Sequence, residues 1–174
     1  MSKKILKADF VFGYVIRYVN LLYWNKRIAA MKKGKKMERY KVILVDDEAE
    51  VIDMIEKKIH WNDLGFEVAG SATNGVKALE LVEKLQPDVV LTDIKMPYMD
   101  GLELSRRLNR EYPNIYIMLC TGFDEFEYAK EAVHLEIKEY MLKPVNATEL
   151  SESLTNLKHT LDREREEKVK CKKT

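Results

Sequence analysis

From Tyr40 onwards the apolar positions of the chain alternate between two rhythms. Residues 41–45, 66–71, 88–92, 115–120 and 139–142 are short apolar or β-branched runs bounded by turn residues, and they read as buried strands. Between them apolar side chains recur at helical spacing. Val51, Ile52, Ile55 and Ile59 do so in 48–59, Val76, Leu79, Leu81 and Val82 in 75–85, and Leu102, Leu104 and Leu108 in 101–111. Residues 124–134 read as a fourth helix, and a fifth starts near Ala147 with Leu150, Leu154, Leu157 and Leu161 on one stripe. Gln86-Pro87 stops the second helix, because the residue before a proline is pushed out of the helical region. Strict alternation with short loops predicts an α/β fold, one parallel sheet with helices on both faces. Five strands in this length match the doubly wound, flavodoxin-like order 2-1-3-4-5. The leucine stripe of the last helix packs on the sheet and could continue as a coiled-coil seam. Beyond Leu161, the run Asp162–Lys168 has no apolar partner and reads as a solvated helical linker or tail.

Before Tyr40 the pattern differs. Residues 5–31 are apolar around most of a helical wheel, with a narrow polar stripe at Asp9, Gly13, Arg17 and Asn20. The apolar block from Phe10 to Trp24 falls short of the roughly 18–20 residues of a bilayer span. Its basic ends and internal aromatics suit contact with a membrane surface, and no small-residue cleavage site marks a signal peptide. Lys32-Lys-Gly-Lys-Lys36 requires purine-rich codons ahead of Met37, a tract that resembles a bacterial ribosome-binding site. Met37 is therefore read as the natural start, and membrane contact by residues 5–31 is the less favoured reading.

Charge divides the chain at the same place. Residues 1–39 carry eleven Lys or Arg against two acids, a net +9, whereas residues 40–174 carry 19 basic and 27 acidic side chains, a net −8. The organisation read from this is a basic, apolar extension at 1–37, one domain at 38–160 and a charged helical linker or tail at 161–174. Two cysteines, Cys120 in a strand and Cys171 in the tail, support no disulfide framework and place the protein in the cytoplasm. His60, His134 and His159 are scattered, without the spacing of a zinc site.

In a parallel sheet the carboxyl ends of the strands converge on one edge, where open α/β sheets bind their ligands. Here the first strand ends in Asp46-Asp47-Glu48, the third in Asp93, the fourth in Thr121-Gly122 and the fifth in Lys143-Pro144. Crowded carboxylates repel one another unless a cation is present, and oxygen-only ligands favour a hard ion such as Mg²⁺. A carboxylate at Asp93 can attack phosphorus, while Lys143 and the Thr121 hydroxyl offer contacts to the transferred oxygens. Taken singly, Asp46 reads as a helix cap, Thr121 as a strand end and Lys143 as a surface charge. Coincidence at four strand ends favours the chemistry.

Residues 40–160 resemble the receiver domain of bacterial two-component response regulators over their whole length. The matching pieces are Val45-Asp-Asp-Glu48, Thr92-Asp-Ile-Lys-Met-Pro97, Asp100-Gly101, Thr121-Gly122 and Tyr140-Met-Leu-Lys-Pro144. The resemblance implies that Asp93 accepts a phosphoryl group from a sensor histidine kinase. It also implies that Asp46, Asp47, Asp93 and the backbone carbonyl of Lys95 hold Mg²⁺, and that Lys143 contacts the phosphoryl group. Thr121 and Tyr140 would be the switch pair, and the Lys143–Pro144 bond would be cis. A narrower likeness, to receivers with AraC-type helix-turn-helix outputs, rests on Trp61-Asn-Asp-Leu-Gly-Phe66, Asn74-Gly75 and Phe123-Asp-Glu-Phe-Glu-Tyr-Ala-Lys130. Glu136 stands where that group has a turn glycine.

The expected function is a phosphoacceptor switch that catalyses only its own phosphorylation and dephosphorylation, in a transcriptional regulator whose DNA-binding output is absent here. A homodimer through helix 124–134, strand 139–142 and the last helix is the expected readout. The competing readings are an Asp/Mg²⁺-dependent phosphatase-like hydrolase and a stand-alone interaction module. The acidic balance of residues 40–174 and their lack of a base-reading motif argue against direct nucleic-acid binding.

Overall fold

The computed structural model describes residues 39–122, 135, 137 and 139–171. Five strands, β1 (Tyr40–Val45), β2 (Phe66–Ala72), β3 (Val89–Asp93), β4 (Tyr116–Thr121) and β5 (Glu139–Leu142), form one sheet in the order β2-β1-β3-β4-β5. Every pairing is parallel. Among the described residues the helices are α1 (Ala49–Lys58), α2 (Gly75–Leu85), α3 (Gly101–Glu111) and α4 (Ala147–Cys171). The expected sheet order and strand positions are borne out to within a residue or two. The expected helix 124–134, the extension at residues 1–37 and Glu136 lie outside the described residues. Among the described residues no helix is long and apolar enough to cross a membrane.

Side chains alternate across the sheet, so each strand contributes to two cores. Val42, Leu44, Val89, Leu91, Met118, Cys120 and Met141 face α1 and α4, where Ile52, Ile55, Leu150, Leu154 and Leu161 cover them. Ile43, Val45, Val90, Ile117 and Leu119 face α2 and α3, packed under Ala78, Val82, Leu102, Leu104 and Leu108. Helices thus cover both faces, as the near-continuous apolar strands require.

Three expectations need correction, one of them the solvated reading of Asp162–Lys168, since Arg165 within that run is 3% exposed. Val76 was expected to point inward, but it is 44% exposed. Asn74 is the N-cap and accepts from the Lys77 amide at 3.0 Å, so Gly75 and Val76 occupy the first turn, and the inward stripe is carried by Ala78 and Val82. The leucine stripe of α4 is also not open to form a coiled-coil seam. Leu150, Leu154 and Leu161 are buried against the protein's own sheet.

Candidate functional site

β3 ends at Asp93, and the sheet register sets its neighbours. Asp93 pairs with Cys120 of β4, which pairs in turn with Met141 of β5. Paired residues of a parallel sheet point to the same face, so Asp93 emerges on the side covered by α1 and α4. Asp46 follows β1 directly and is 4% exposed, its Oδ1 accepting the Glu48 amide at 3.0 Å. Asp46 is not the helix cap of its plainest reading: the N-cap of α1 is Glu48, without a side-chain cap bond, and Asp46 only holds the amide of that residue. Asp47 beside it is exposed. One carboxylate oxygen from each of Asp46, Asp47 and Asp93 lies within 4.8 Å of the others.

Lys143, on the turn after β5, reaches into this group. Its Nζ is 2.7 Å from Asp46 Oδ2, 3.3 Å from Asp93 Oδ2 and 4.0 Å from Glu48 Oε1. The Lys143 amide donates to the Thr121 carbonyl at 2.6 Å, and the bond to Pro144 is cis. Lys143 is thus no surface charge: it offsets the repulsion between the buried carboxylates. Burial pushes the Asp93 carboxyl up to about 6, against the pull of the Lys143 ammonium and with a further push from Asp46. The Lys143 ammonium is held above its ordinary range: burial opposes this, and the hydrogen bond to Asp46 and the charge of Asp93 outweigh burial.

The loop after Asp93 is shaped by two close backbone approaches. A methyl group at Gly101 would lie 2.1 Å from the Asp93 carbonyl oxygen, and one at Gly75 would lie 2.9 Å from that of Met99. The Gly101 amide donates to Ile94 at 2.9 Å and the Gly75 amide to Met99 at 3.1 Å. These contacts pull the segment Lys95–Met99 into a tight hairpin beside the carboxylates. Gly101 was read from the sequence only as part of a motif. Its spacing after Met96-Pro97 was the available signal, but the contact that demands glycine is tertiary.

Thr121 ends β4 one residue beyond the partner of Asp93, fully buried, with its hydroxyl donating to Gly122 at 3.4 Å. Tyr140 pairs with Leu119 and sits with Thr121 on the opposite face of the sheet from Asp93. Lys95 lies two residues past Asp93 on the hairpin. The structure therefore gathers the carboxylates of Asp46, Asp47 and Asp93, with Lys143 in contact with Asp46 and Asp93, while Thr121 follows the register partner of Asp93 and Tyr140 lies on the other face of the sheet. The donor set is all hard oxygen, which fits Mg²⁺ and not a softer ion.

The response regulator receiver domain family matches residues 42–155. The transcriptional regulatory protein YesN of Bacillus subtilis (strain 168) is 42% identical over 125 residues, covering 72% of this chain and 34% of YesN. Among solved structures, the REC domain of AraT, a response regulator from Geobacillus stearothermophilus, superposes with a TM-score of 0.69 at 39% identity. That match covers 72% of this chain and 98% of the AraT domain. A two-component transcriptional regulator AraC from Clostridium phytofermentans follows at 31% identity and a TM-score of 0.66, covering 71% of this chain and 96% of that one. The chain spans about a third of the length of YesN. Receiver domains are generally signalling rather than catalytic modules, they partner with sensor histidine kinases, and they bind Mg²⁺ at an acidic cluster of the kind that Asp46, Asp47 and Asp93 form here. With the sheet order and the family match in agreement, the chain belongs to the response regulator receiver domain family.

Proposed function

We propose that Asp93 is the phosphoacceptor of this receiver. The observation that carries the reading is the Lys143 ammonium held between Asp46 and Asp93 at the end of the central strand. A carboxylate oxygen of Asp93 attacks the phosphorus of a phosphohistidine, the P–N bond breaks, and an acyl phosphate forms. Asp46, Asp47, Asp93 and the backbone carbonyl of Lys95 would hold Mg²⁺, which when bound neutralises the charge on the phosphoryl oxygens. Lys143, 3.3 Å from Asp93 Oδ2, exchanges its contact with Asp93 for one with the new phosphoryl group. The Thr121 hydroxyl takes a further phosphoryl oxygen, and the space it leaves lets Tyr140 turn inward, shifting the balance of two states of one domain.

The partner on the input side is a sensor histidine kinase, and the compartment is the cytoplasm, where Cys120 and Cys171 stay reduced. The readout is dimerisation through strand 139–142, the outer face of α4 and residues 124–134, and the protein's only turnover is its own phosphorylation and dephosphorylation. The organisation is an extension at 1–37, a receiver at 38–160 and a charged helical segment at 161–174, whose first turns still pack on the receiver. The longer regulator to which the receiver would contribute acts on transcription.

Acetyl phosphate with Mg²⁺ tests the assignment. The parent chain should acquire an acid-stable, base-labile phosphoryl group, and Asp93→Asn should acquire none. Equal labelling of the two would show that the acceptor lies elsewhere.

A further inference from the structure

The distal turns of α4 do not trail into solvent. Past Leu161 the inward stripe continues at Arg165, which is 3% exposed, and its guanidinium carbon lies 4.2 Å above the ring of Tyr40. The Tyr40 hydroxyl donates to Asp162 Oδ1 at 2.7 Å, and the Tyr116 hydroxyl to Glu164 Oε1 at 2.6 Å. Tyr40 and Tyr116 are the first residues of β1 and β4, so both bonds lie at the end of the sheet opposite Asp93.

The Trp61–Phe66 motif completes this surface. The Tyr40 amide donates to Gly65 at 3.0 Å, and the rings of Tyr40 and Phe66 lie 5.7 Å apart. Gly65 sits at φ +82°, and a methyl group there would come within 2.6 Å of Lys158 Cε on α4. The side chain of Lys158 crosses that bare glycine and pairs with Asp162. Trp61 anchors the loop from below, buried in the core with its indole N–H donating to Glu56 at 3.2 Å.

We propose that Tyr40, Tyr116 and the Trp61–Phe66 loop form a polar clamp that seats residues 158–168 of α4 and sets the direction in which this helix leaves the domain. The leucines hold the first half of α4 by apolar burial. From Asp162 onwards the described contacts are hydrogen bonds, a cation–π stack and ion pairs. Such contacts are directional, so they fix the helix's position along and around its axis more tightly than burial alone. Burial, and then the hydrogen-bonded carboxylate, hold both tyrosine hydroxyls protonated well above neutral pH, so they remain donors. A helix rises 1.5 Å per residue, so a tilt of about 10° at Leu161 becomes a displacement of roughly 2–3 Å at Cys171.

Cys171 makes the test direct. Cys120 is buried with its thiol pushed up to about 12, so a thiol-reactive spin label goes to the exposed Cys171. A second label at Asp63→Cys, on the clamp loop, gives a distance. The parent for this measurement is the chain carrying only Asp63→Cys, and it should show one narrow distance distribution. Tyr40→Phe with Tyr116→Phe, which removes only two oxygens, should broaden that distribution at least twofold and raise hydrogen exchange over 162–171. Asp162→Asn with Glu164→Gln, made on the helix side, should do the same. A distribution as narrow in both double variants as in the parent would overturn the clamp, as would a broad one in the parent. Phosphorylation by acetyl phosphate is read in parallel and should be unchanged in every variant. Its absence from the parent would count against the receiver chemistry and leave the clamp standing.

Discussion

Asp93 carries opposed demands: it must be ionised to attack phosphorus, yet it is 7% exposed and close to Asp46. A carboxyl raised to about 6 in the folded chain binds its proton more tightly than in the unfolded chain. Its contribution to stability is therefore full below about pH 4 and is lost as pH rises through 6. Without divalent ions, the loss from this group should be on the order of 2–3 kcal/mol, read from urea midpoints at pH 4.5 and 7.5. Asp93→Asn, which cannot ionise, should remove that loss and be more stable than the parent at pH 7.5. A parent-like pH profile in Asp93→Asn would mean that another group carries the titration. Gly101 gives a second residue-scale expectation. Its replacement by Ala sets a methyl group against the Asp93 carbonyl backbone, which no rotamer change relieves. The variant should lose ~3 kcal/mol or more and with it most of its phosphorylation, checked by denaturant unfolding and acetyl phosphate labelling.

At the scale of elements, the helices that frame the site are started by side chains that the sequence displays openly. Asp100 accepts the Glu103 amide at 2.7 Å, and Asn74 accepts that of Lys77 at 3.0 Å. Asp100→Ala should cost ~1 kcal/mol, the usual size of a lost N-cap, and leave Asp93 reactive, since the capping oxygen is engaged by the Glu103 amide. A loss of labelling without a matching loss of stability would show instead that the cap positions the hairpin. α4 behaves as two elements in one. Its first half follows the leucine stripe that periodicity predicts, while its second half is held through Arg165, a residue type that periodicity arguments count as polar. The aliphatic stem and flat guanidinium of Arg fit it for such a place.

For the whole molecule, two outcomes are expected. The sheet begins at Tyr40, whose amide already bonds to Gly65. A chain starting at Met37 should therefore fold, and it should take up phosphoryl groups at the rate of the full chain. A drop in stability of several kcal/mol would assign residues 1–36 to the core, while sedimentation of only the full chain with anionic vesicles would favour membrane contact. Beryllofluoride with Mg²⁺ should double the mass seen by light scattering. An unchanged mass, together with unchanged amide signals along β5 and α4, would count against the dimer.

The number, succession along the chain and type of the strands and of the described helices were legible in the residues, because two-residue and 3.6-residue periodicities are local and turn chemistry marks their ends. The sequence also named Asp46, Asp47, Asp93 and Lys143, since a parallel sheet carries every strand end to one edge whatever the loops do. Packing between elements settled that Lys143 spans Asp46 and Asp93, that Gly101 must lack a side chain, and that Tyr40 and Tyr116 bond to the far end of α4. Each of those contacts joins residues from separate elements, and their distances depend on register and helix placement. Val76 shows the same limit on a smaller scale. Its apolar character was plain in the sequence, but the capping position of Asn74 determined which way the first turn of α2 would face.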